Sequence, residues 1–133
     1  MDSEISQIIK QSSFTVEEGR FVYAKVLEPP QPGEHFMVTK DADEITVVTK
    51  EENLSKLSLI EQNKDFYRLI ALNVLIPFYS VGFLATVSGA IANAGMNILI
   101  VSTYSKDYIM VREDKLDEAR TVLLELGFQE KIK

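Results

Sequence analysis

The sequence contains no cysteine, no tryptophan and one histidine, His35, which lies in a stretch rich in proline. Without cysteine the chain has no disulfide framework, no thiolate zinc ligand and no cysteine nucleophile. Its longest apolar run, Leu69–Phe78, is interrupted by Asn73 and Pro77 and is shorter than the roughly 20 residues that a membrane-spanning helix requires. The N-terminal residues are acidic and lack an apolar signal core. We therefore expect a cytoplasmic protein without a membrane partner.

Positive charge is also sparse. The chain carries 14 Lys and Arg against 20 Asp and Glu, and its basic residues are scattered among the acids. Because a chain without a concentrated basic face is repelled by phosphate backbones, nucleic-acid binding is disfavoured. The 133 residues are 46% hydrophobic and 26% charged, which is typical of a globular protein with one ordinary domain or two very small ones.

Hydrophobic periodicity is clearest in the second half and predicts one βαββαβ module over Leu69–Lys133. Asp114 is the predicted cap of the second helix, and Gly127 with Phe128 predicts a Schellman-type end. The predicted elements are a strand over Phe66–Ile76, a helix over Gly82–Ala94, strands over Asn97–Tyr104 and Tyr108–Arg112, and a helix over Asp114–Leu126.

The first half predicts a weaker version of the same plan, in which a long strand precedes a hairpin and a helix. The predicted elements are a helix over Ser3–Gln11, an extended stretch over Phe14–Val16, strands over Arg20–Leu27, Phe36–Lys40 and Glu44–Thr49, and a weak helix over Glu51–Leu59. The loop Pro29–Gly33 is too short to hold a helix, so we place Ser3–Gln11 on the first sheet instead. Sheets covered on one face only favour pairing of the two modules, and then a homodimer.

The turn between the first strand and first helix of the second half holds the candidate site. Gly82 has no Cβ, so a ligand can approach the backbone closely. The free N–H groups of Gly82, Phe83 and Leu84 at the helix start suit a carboxylate. Ser80 adds a hydroxyl, and the side-chain oxygen of Asn97 can bind an α-amino group.

Structural explanations compete with this site. Gly82 can serve close helix–sheet packing alone, and Asn97 can bond backbone groups in the turn after Gly95. His35 has no second histidine nearby, and the acid pairs, such as Glu17-Glu18, are sequence neighbours that do not face each other. We therefore predict no catalytic residue, no metal site and no cofactor.

The stretch GFLATVSGAIANAGMNI, followed by a hairpin and by DKLDEARTVLLELGF, resembles the ACT domain over Ala71–Phe128. The resemblance is greatest to the regulatory ACT domains of aspartate kinases and to the arginine-sensing CASTOR proteins. The whole chain resembles small free-standing proteins with two ACT-like modules. This resemblance implies an α+β fold of tandem ferredoxin-like modules, with antiparallel sheets and helices on one face. Residues 1–65 would be a divergent N-terminal ACT-like module, and residues 66–133 the C-terminal ACT domain.

The resemblance also implies that a free amino acid binds between two ACT modules. The helix-start turn would bind its carboxylate and the start of the second strand its amino group. The implied ligand-binding residues are Tyr79, Ser80, Val81, Gly82, Phe83, Leu84, Asn97 and Ile98.

Three functions follow from these observations. The first is a regulatory sensor that binds a free amino acid, has no catalytic activity and acts on a client enzyme. The second is acylphosphatase chemistry, which requires an arginine just after the turn; Phe83, Leu84 and Ala85 stand there, so this enzyme is not expected. The third is a ligand-free module that forms oligomers or docks onto a partner enzyme or transporter.

Overall fold

The computed structural model describes residues 3–74 and 81–133. The chain divides into two compact units: unit 1 combines Met1–Glu18 with Arg68–Lys133, and unit 2 is Gly19–Tyr67. The predicted division of the chain into two modules at residue 65 therefore stays a prediction. The α+β class and the tandem ferredoxin-like fold are confirmed.

The described residues form three α-helices and nine strands. The helices are α1 Ser3–Lys10, α2 Phe83–Asn93 and α3 Leu116–Leu126. The strands are β1 Ser13–Val16, β2 Phe21–Val26, β3 Met37–Lys40, β4 Ile45–Lys50, β5 Leu59–Gln62, β6 Tyr67–Asn73, β7 Leu99–Ser102, β8 Asp107–Arg112 and β9 Gln129–Glu130.

The strands of unit 1 lie in the order β7-β8-β6-β1-β9. Strands β6, β7 and β8 with helices α2 and α3 confirm the predicted βαββα order. The last strand differs from the prediction. Strand β1 is antiparallel to β6, with Phe14 opposite Leu72, and the two-residue β9 then pairs in parallel with β1. The four-residue β1 thus takes the place beside β6 that the final strand of a βαββαβ module would occupy.

The three helices cover one face of this sheet and bury a common apolar cluster. The rings of Phe14 and Phe83 both pack edge-on against Phe128, at centroid distances of 6.4 and 6.1 Å. Ile5 and Ile9 of α1 belong to the same cluster. Placing α1 on the sheet of the first half was therefore wrong, because its apolar side chains complete the core of unit 1.

The sequence predicts the C-terminal end of α3 correctly and its N-terminal cap wrongly. The predicted Asp114 cap is wrong: a 3₁₀ turn over Glu113–Lys115 precedes the helix, and Asp114 accepts a hydrogen bond from Arg112 at 3.1 Å instead. The predicted Schellman end is confirmed. Gly127 has φ 118°, and the Phe128 N–H donates to the Leu123 carbonyl at 3.1 Å.

Unit 2 is a sheet of strands β3, β4, β2 and β5, with all of these pairs antiparallel. The predicted β3–β4 hairpin is confirmed, and the Asp41 carboxylate accepts the N–H groups of Asp43 and Glu44 in its turn. The predicted helix over Glu51–Leu59 is wrong. It is a 3₁₀ turn over Glu51–Lys56 followed by β5, because the chain turns extended at Leu57 to pair with β2.

Within residues 3–74 and 81–133, no helix has the length and apolar character needed to cross a membrane.

Candidate functional site

Six of the eight predicted ligand-binding residues lie in the described part of the chain; Tyr79 and Ser80 lie outside it. Gly82 is the N-cap of α2, with φ 85°, and its carbonyl accepts the Thr86 N–H at 2.9 Å. A positive φ is strained for any residue with a Cβ, so glycine suits this position. The first N–H groups of an α-helix have no partner within the helix and, with the helix dipole, favour an anion.

The side chains around Gly82 contribute less than the sequence suggested. Phe83 is 1% exposed and belongs to the core, and Leu84 packs partly against that core. Val81 is 93% exposed, so it does not fill a cavity. The side chains of Phe83 and Leu84 therefore serve packing, which leaves the backbone N–H groups as the polar groups of these two residues at the turn.

Helix α1 lies directly against this turn, a contact that sequence reasoning missed. A Cβ built on Gly82 would meet the Ile5 Cδ1 atom at 3.3 Å. Gly82 thus also serves close packing, as the competing explanation proposed. The amphipathic pattern of α1 predicts a buried face, but nothing in the sequence tells which core that face joins.

Asn97 and Ile98 lie at the opposite end of α2. The eleven residues of this helix separate them from Gly82, which corresponds to about 16 Å at 1.5 Å per residue. Asn97 is exposed, whereas Ile98 packs partly against the core. One copy of unit 1 therefore does not bring Gly82 and Asn97 close enough to contact the same amino acid.

Unit 2 carries a cleft of about 320 Å³, which the sequence did not indicate. The Tyr23 N–H donates to the side-chain oxygen of Asn63, and the Asn63 N–H donates to the Tyr23 carbonyl. Lys25 lies 3.8 Å from the Glu44 carboxylate. Burial, and secondly Tyr67, raises the pKa of the Tyr23 hydroxyl. The described lining residues are Tyr23, Ala24, Lys25, Glu44, Thr46, Glu61, Gln62 and Asn63.

Unit 1 carries a second cleft, of about 210 Å³, which we call the C-terminal cleft. Its described lining residues are Thr15, Glu17, Ala71, Asn73, Lys106, Lys131, Ile132 and Lys133. Three lysines and one glutamate converge here from three separate segments. The sequence could not indicate this grouping, because it depends on the register of β1 against β6 and on the path of the C-terminal residues.

His35 has a structural role. Its Nδ1 atom lies 2.9 Å from the Oγ1 atom of the fully buried Thr49, which also accepts a hydrogen bond from Asn53. In the part of the chain that the structure describes, no group of three or more His, Cys, Asp or Glu side chains is placed to hold a metal ion.

Comparison with known proteins finds a family match over part of the chain. Residues 62–125 match the family model described as the ACT domain. These residues run from β5 into α3 and include the turn before α2 and the strand start at Asn97. A search of curated protein sequences found no match.

Solved structures with the same fold cover nearly the whole chain. A Vibrio cholerae protein of unknown function, described as a possible transport protein, has a TM-score of 0.76 and 20% identity, covering 94% of this chain and 97% of that one. An Agrobacterium tumefaciens protein has a TM-score of 0.74 and 17% identity, with 92% and 93% covered. The ligand-free regulatory subunit of Thermus thermophilus aspartate kinase has a TM-score of 0.62 and 11% identity, with 85% and 95% covered. The family match and the shared fold thus show that this chain is similar to the ACT domain over residues 62–125.

Proposed function

We propose that this protein is a regulatory sensor without catalytic activity and that it binds a free amino acid at the N-terminal turn of α2. The observation that carries the proposal is the positive-φ glycine at the N-cap of α2, Gly82, which has no side chain to cap the first N–H groups of the helix. The ligand carboxylate would accept hydrogen bonds from the N–H groups of Gly82, Phe83 and Leu84. ACT domains are regulatory and typically bind amino acids, which supports this assignment.

A helix N-terminus alone binds a carboxylate weakly. The interaction contributes about 0.3–1 kcal/mol at an exposed site, so the amino group of the ligand needs a contact of its own. Asn97 and Ile98 are the proposed contacts. Because α2 separates them from Gly82 by about 16 Å, one ligand would take the turn from one copy and Asn97 from a second copy. The proposed site therefore requires a homodimer, and Tyr79, Ser80 and Val81 would complete it.

We further propose that ligand binding acts on a client enzyme, through a surface of the dimer that changes with occupancy. A second candidate is a ligand-free module that only assembles or docks. The contact between Gly82 and Ile5 favours this alternative, since it explains the glycine by packing alone.

A thermal-shift screen of the twenty amino acids tests the proposal. A ligand at 100 times its Kd should stabilise the protein by about 2.7 kcal/mol, which is readily seen as a higher Tm. Asn97→Ala should abolish the shift, whereas Asn93→Ala, an exposed asparagine at the last residue of α2, should keep it. If no amino acid raises the Tm, the ligand-free alternative is favoured.

Mixing two defective variants tests the two-copy site. Gly82→Ala and Asn97→Ala would each remove both sites of a homodimer. In a mixed dimer both substitutions fall in the same site, so the second site is intact. Mixing the two variants should therefore restore binding to up to about half of the sites in mixed dimers. Binding that stays absent in dimers proven to be mixed would contradict a site shared between copies.

A further inference from the structure

The C-terminal cleft lies on the face of the unit 1 sheet that the helices leave uncovered. The register of β1 and β6 places Ser13 opposite Asn73 and Thr15 opposite Ala71. Phe14 and Leu72, at the alternate positions, belong to the core on the other face. Since side chains alternate along a strand, Thr15 and Asn73 point away from the helices and into the cleft region.

The floor of the cleft provides the hydroxyl of Thr15. The Asn73 carboxamide nitrogen donates hydrogen bonds to the Ser13 Oγ and Thr15 Oγ1 atoms, both at 3.1 Å. Because the Thr15 hydroxyl oxygen acts as the acceptor in its bond with Asn73, its hydrogen remains able to donate to a ligand. Thr15 is 8% exposed, so its position is fixed by the surrounding sheet.

The C-terminal residues form one wall of the cleft and are held along β1. The Lys131 N–H donates to the Phe14 carbonyl at 2.8 Å, and the Lys133 ammonium lies 2.5 Å from the Glu17 carboxylate. Glu17 raises the pKa of Lys133 through this hydrogen bond. The single acid of the lining is thus neutralised by one of its three lysines.

Two positive charges remain in the cleft, on Lys106 and Lys131. The half-buried Lys106 sits in the turn between β7 and β8, where its carbonyl accepts both the N–H and the hydroxyl of Thr103. Within residues 3–74 and 81–133, neither ammonium group takes part in an ion pair. The three lysines of the lining outnumber Glu17 and Glu18, the two acids that act on Lys133, in a chain with a net charge of −6.

Size and charge limit what can bind there. The volume of about 210 Å³ is below the roughly 300–1,000 Å³ of pockets for drug-sized ligands, so the ligand is a small metabolite. A large polyanion would meet the net negative charge of the whole protein, whereas a small anion meets only the local excess of lysines.

We propose that the C-terminal cleft binds a small organic acid with two or more carboxylates, one paired with Lys106 and another with Lys131. The Thr15 hydroxyl would donate to the bound acid from the floor. Since Lys131 belongs to the segment that runs along β1, the bound acid links that segment to the β7–β8 turn. This site lies on the sheet face opposite α2 and does not depend on the proposed amino-acid site.

Isothermal titration calorimetry with the full chain tests the proposal, using succinate, citrate, acetate and inorganic phosphate at matched ionic strength. We expect succinate or citrate to bind more tightly than acetate and phosphate. Lys106→Met and Lys131→Met should each weaken that binding by about tenfold, which corresponds to about 1.4 kcal/mol. Lys40→Met, an exposed lysine of β3, removes the same charge and should change binding less than twofold.

Amide hydrogen exchange gives a structural readout of the same site. Citrate should slow exchange at Lys131, whose N–H bonds to Phe14, and the effect should disappear in Lys131→Met. Equal binding of all four probes, or an equal loss in Lys40→Met, would show general screening and overturn the proposal. Gly82→Ala should leave this binding intact, so failure of the amino-acid site and failure of the cleft are distinguishable.

Discussion

The two units of this protein are stabilised by different means. Unit 1 has three α-helices over one sheet face and a cluster of fifteen buried apolar residues among those described. Unit 2, whose residues 19–67 are all described, has only a 3₁₀ turn beside its strands and buries six apolar residues, which are Phe21, Val22, Ala24, Val26, Val47 and Val48. Polar contacts join its loops to its strands, including those of Thr49 with His35 and Asn53.

This difference shows how the helices determine what stabilises each sheet. An amphipathic helix brings an apolar stripe over a sheet, and burial of that stripe contributes about 25 cal/mol per Å². A sheet edge covered by loops gains fewer such contacts, so individual hydrogen bonds carry more of its stability. Unit 1 should therefore be sensitive to cavities, and unit 2 to the loss of single polar groups.

The largest effect is expected for Phe83→Ala in unit 1. The substitution empties a fully buried position against Phe128, and such changes cost about 3–5 kcal/mol. Urea unfolding measures this loss of unfolding free energy. Val81→Ala, two residues away and 93% exposed, is the control and should be nearly neutral. A loss below about 1 kcal/mol for Phe83→Ala would contradict a close-packed core in unit 1.

The next effect is expected for Thr49→Val in unit 2. Valine keeps the shape of the fully buried side chain but leaves His35 and Asn53 without their shared hydroxyl. Leaving such groups unsatisfied costs about 1–3 kcal/mol, measured by urea unfolding and by amide exchange in β4. Thr39→Val, an exposed threonine of β3, is the matched control. If both variants lose the same unfolding free energy, the hydrogen bonds of Thr49 do not carry the stability of unit 2 that we expect of them.

Much of this fold follows from the sequence because long periodic segments determine it. Helices α2 and α3 and the β3–β4 hairpin are where the hydrophobic pattern and the turn residues predict them. The short strand β5 was missed, and the final strand of the βαββαβ module was predicted without bounds, since strands of four and two residues carry too little pattern. Helix α1 was predicted, but its position depends on a packing choice that its own sequence does not encode.

The candidate sites were less predictable than the fold. Gly82 marks a helix start by its residue type alone, so the turn before α2 could be located from the sequence. The roles of Phe83 and Ile98 could not, since both are apolar and their burial is decided by distant residues such as Phe128. The C-terminal cleft depends on strand register and carries no local pattern at all.

A smaller effect is expected when the glycine that ends α3 is replaced. Gly127→Ala forces φ 118° on a residue with a Cβ and should cost about 1–2 kcal/mol. Its new Cβ would meet Ile9 only at an ordinary 3.5 Å, so the cost arises from the backbone. Gly33→Ala in unit 2 has a similar φ of 111° but lies in an exposed loop free to rearrange, so urea unfolding should show a smaller loss.

The smallest effect is expected at alkaline pH, where one half-buried tyrosine of each unit can be compared. Burial raises the pKa of Tyr108 in unit 1, with a further contribution from Glu17, and burial raises that of Tyr23 in unit 2. A group with a raised folded-state pKa contributes stability below its unfolded pKa and loses it as the pH rises through the folded value. Both tyrosines, and Lys133 with its raised pKa, therefore predict that stability falls above pH 10.

Glu17→Gln separates the two tyrosines in this comparison. Removing the carboxylate should lower the pKa values of Tyr108 and Lys133 towards their ordinary values, because Glu17 contributes to both shifts. The pKa of Tyr23 should not move, since its shift arises from burial and from Tyr67. Ultraviolet titration of tyrosinate, with Tyr23→Phe and Tyr108→Phe to assign each transition, measures the change. A shift of both transitions together would mean that Glu17→Gln alters the whole fold rather than the ion pair that holds the C-terminal residues.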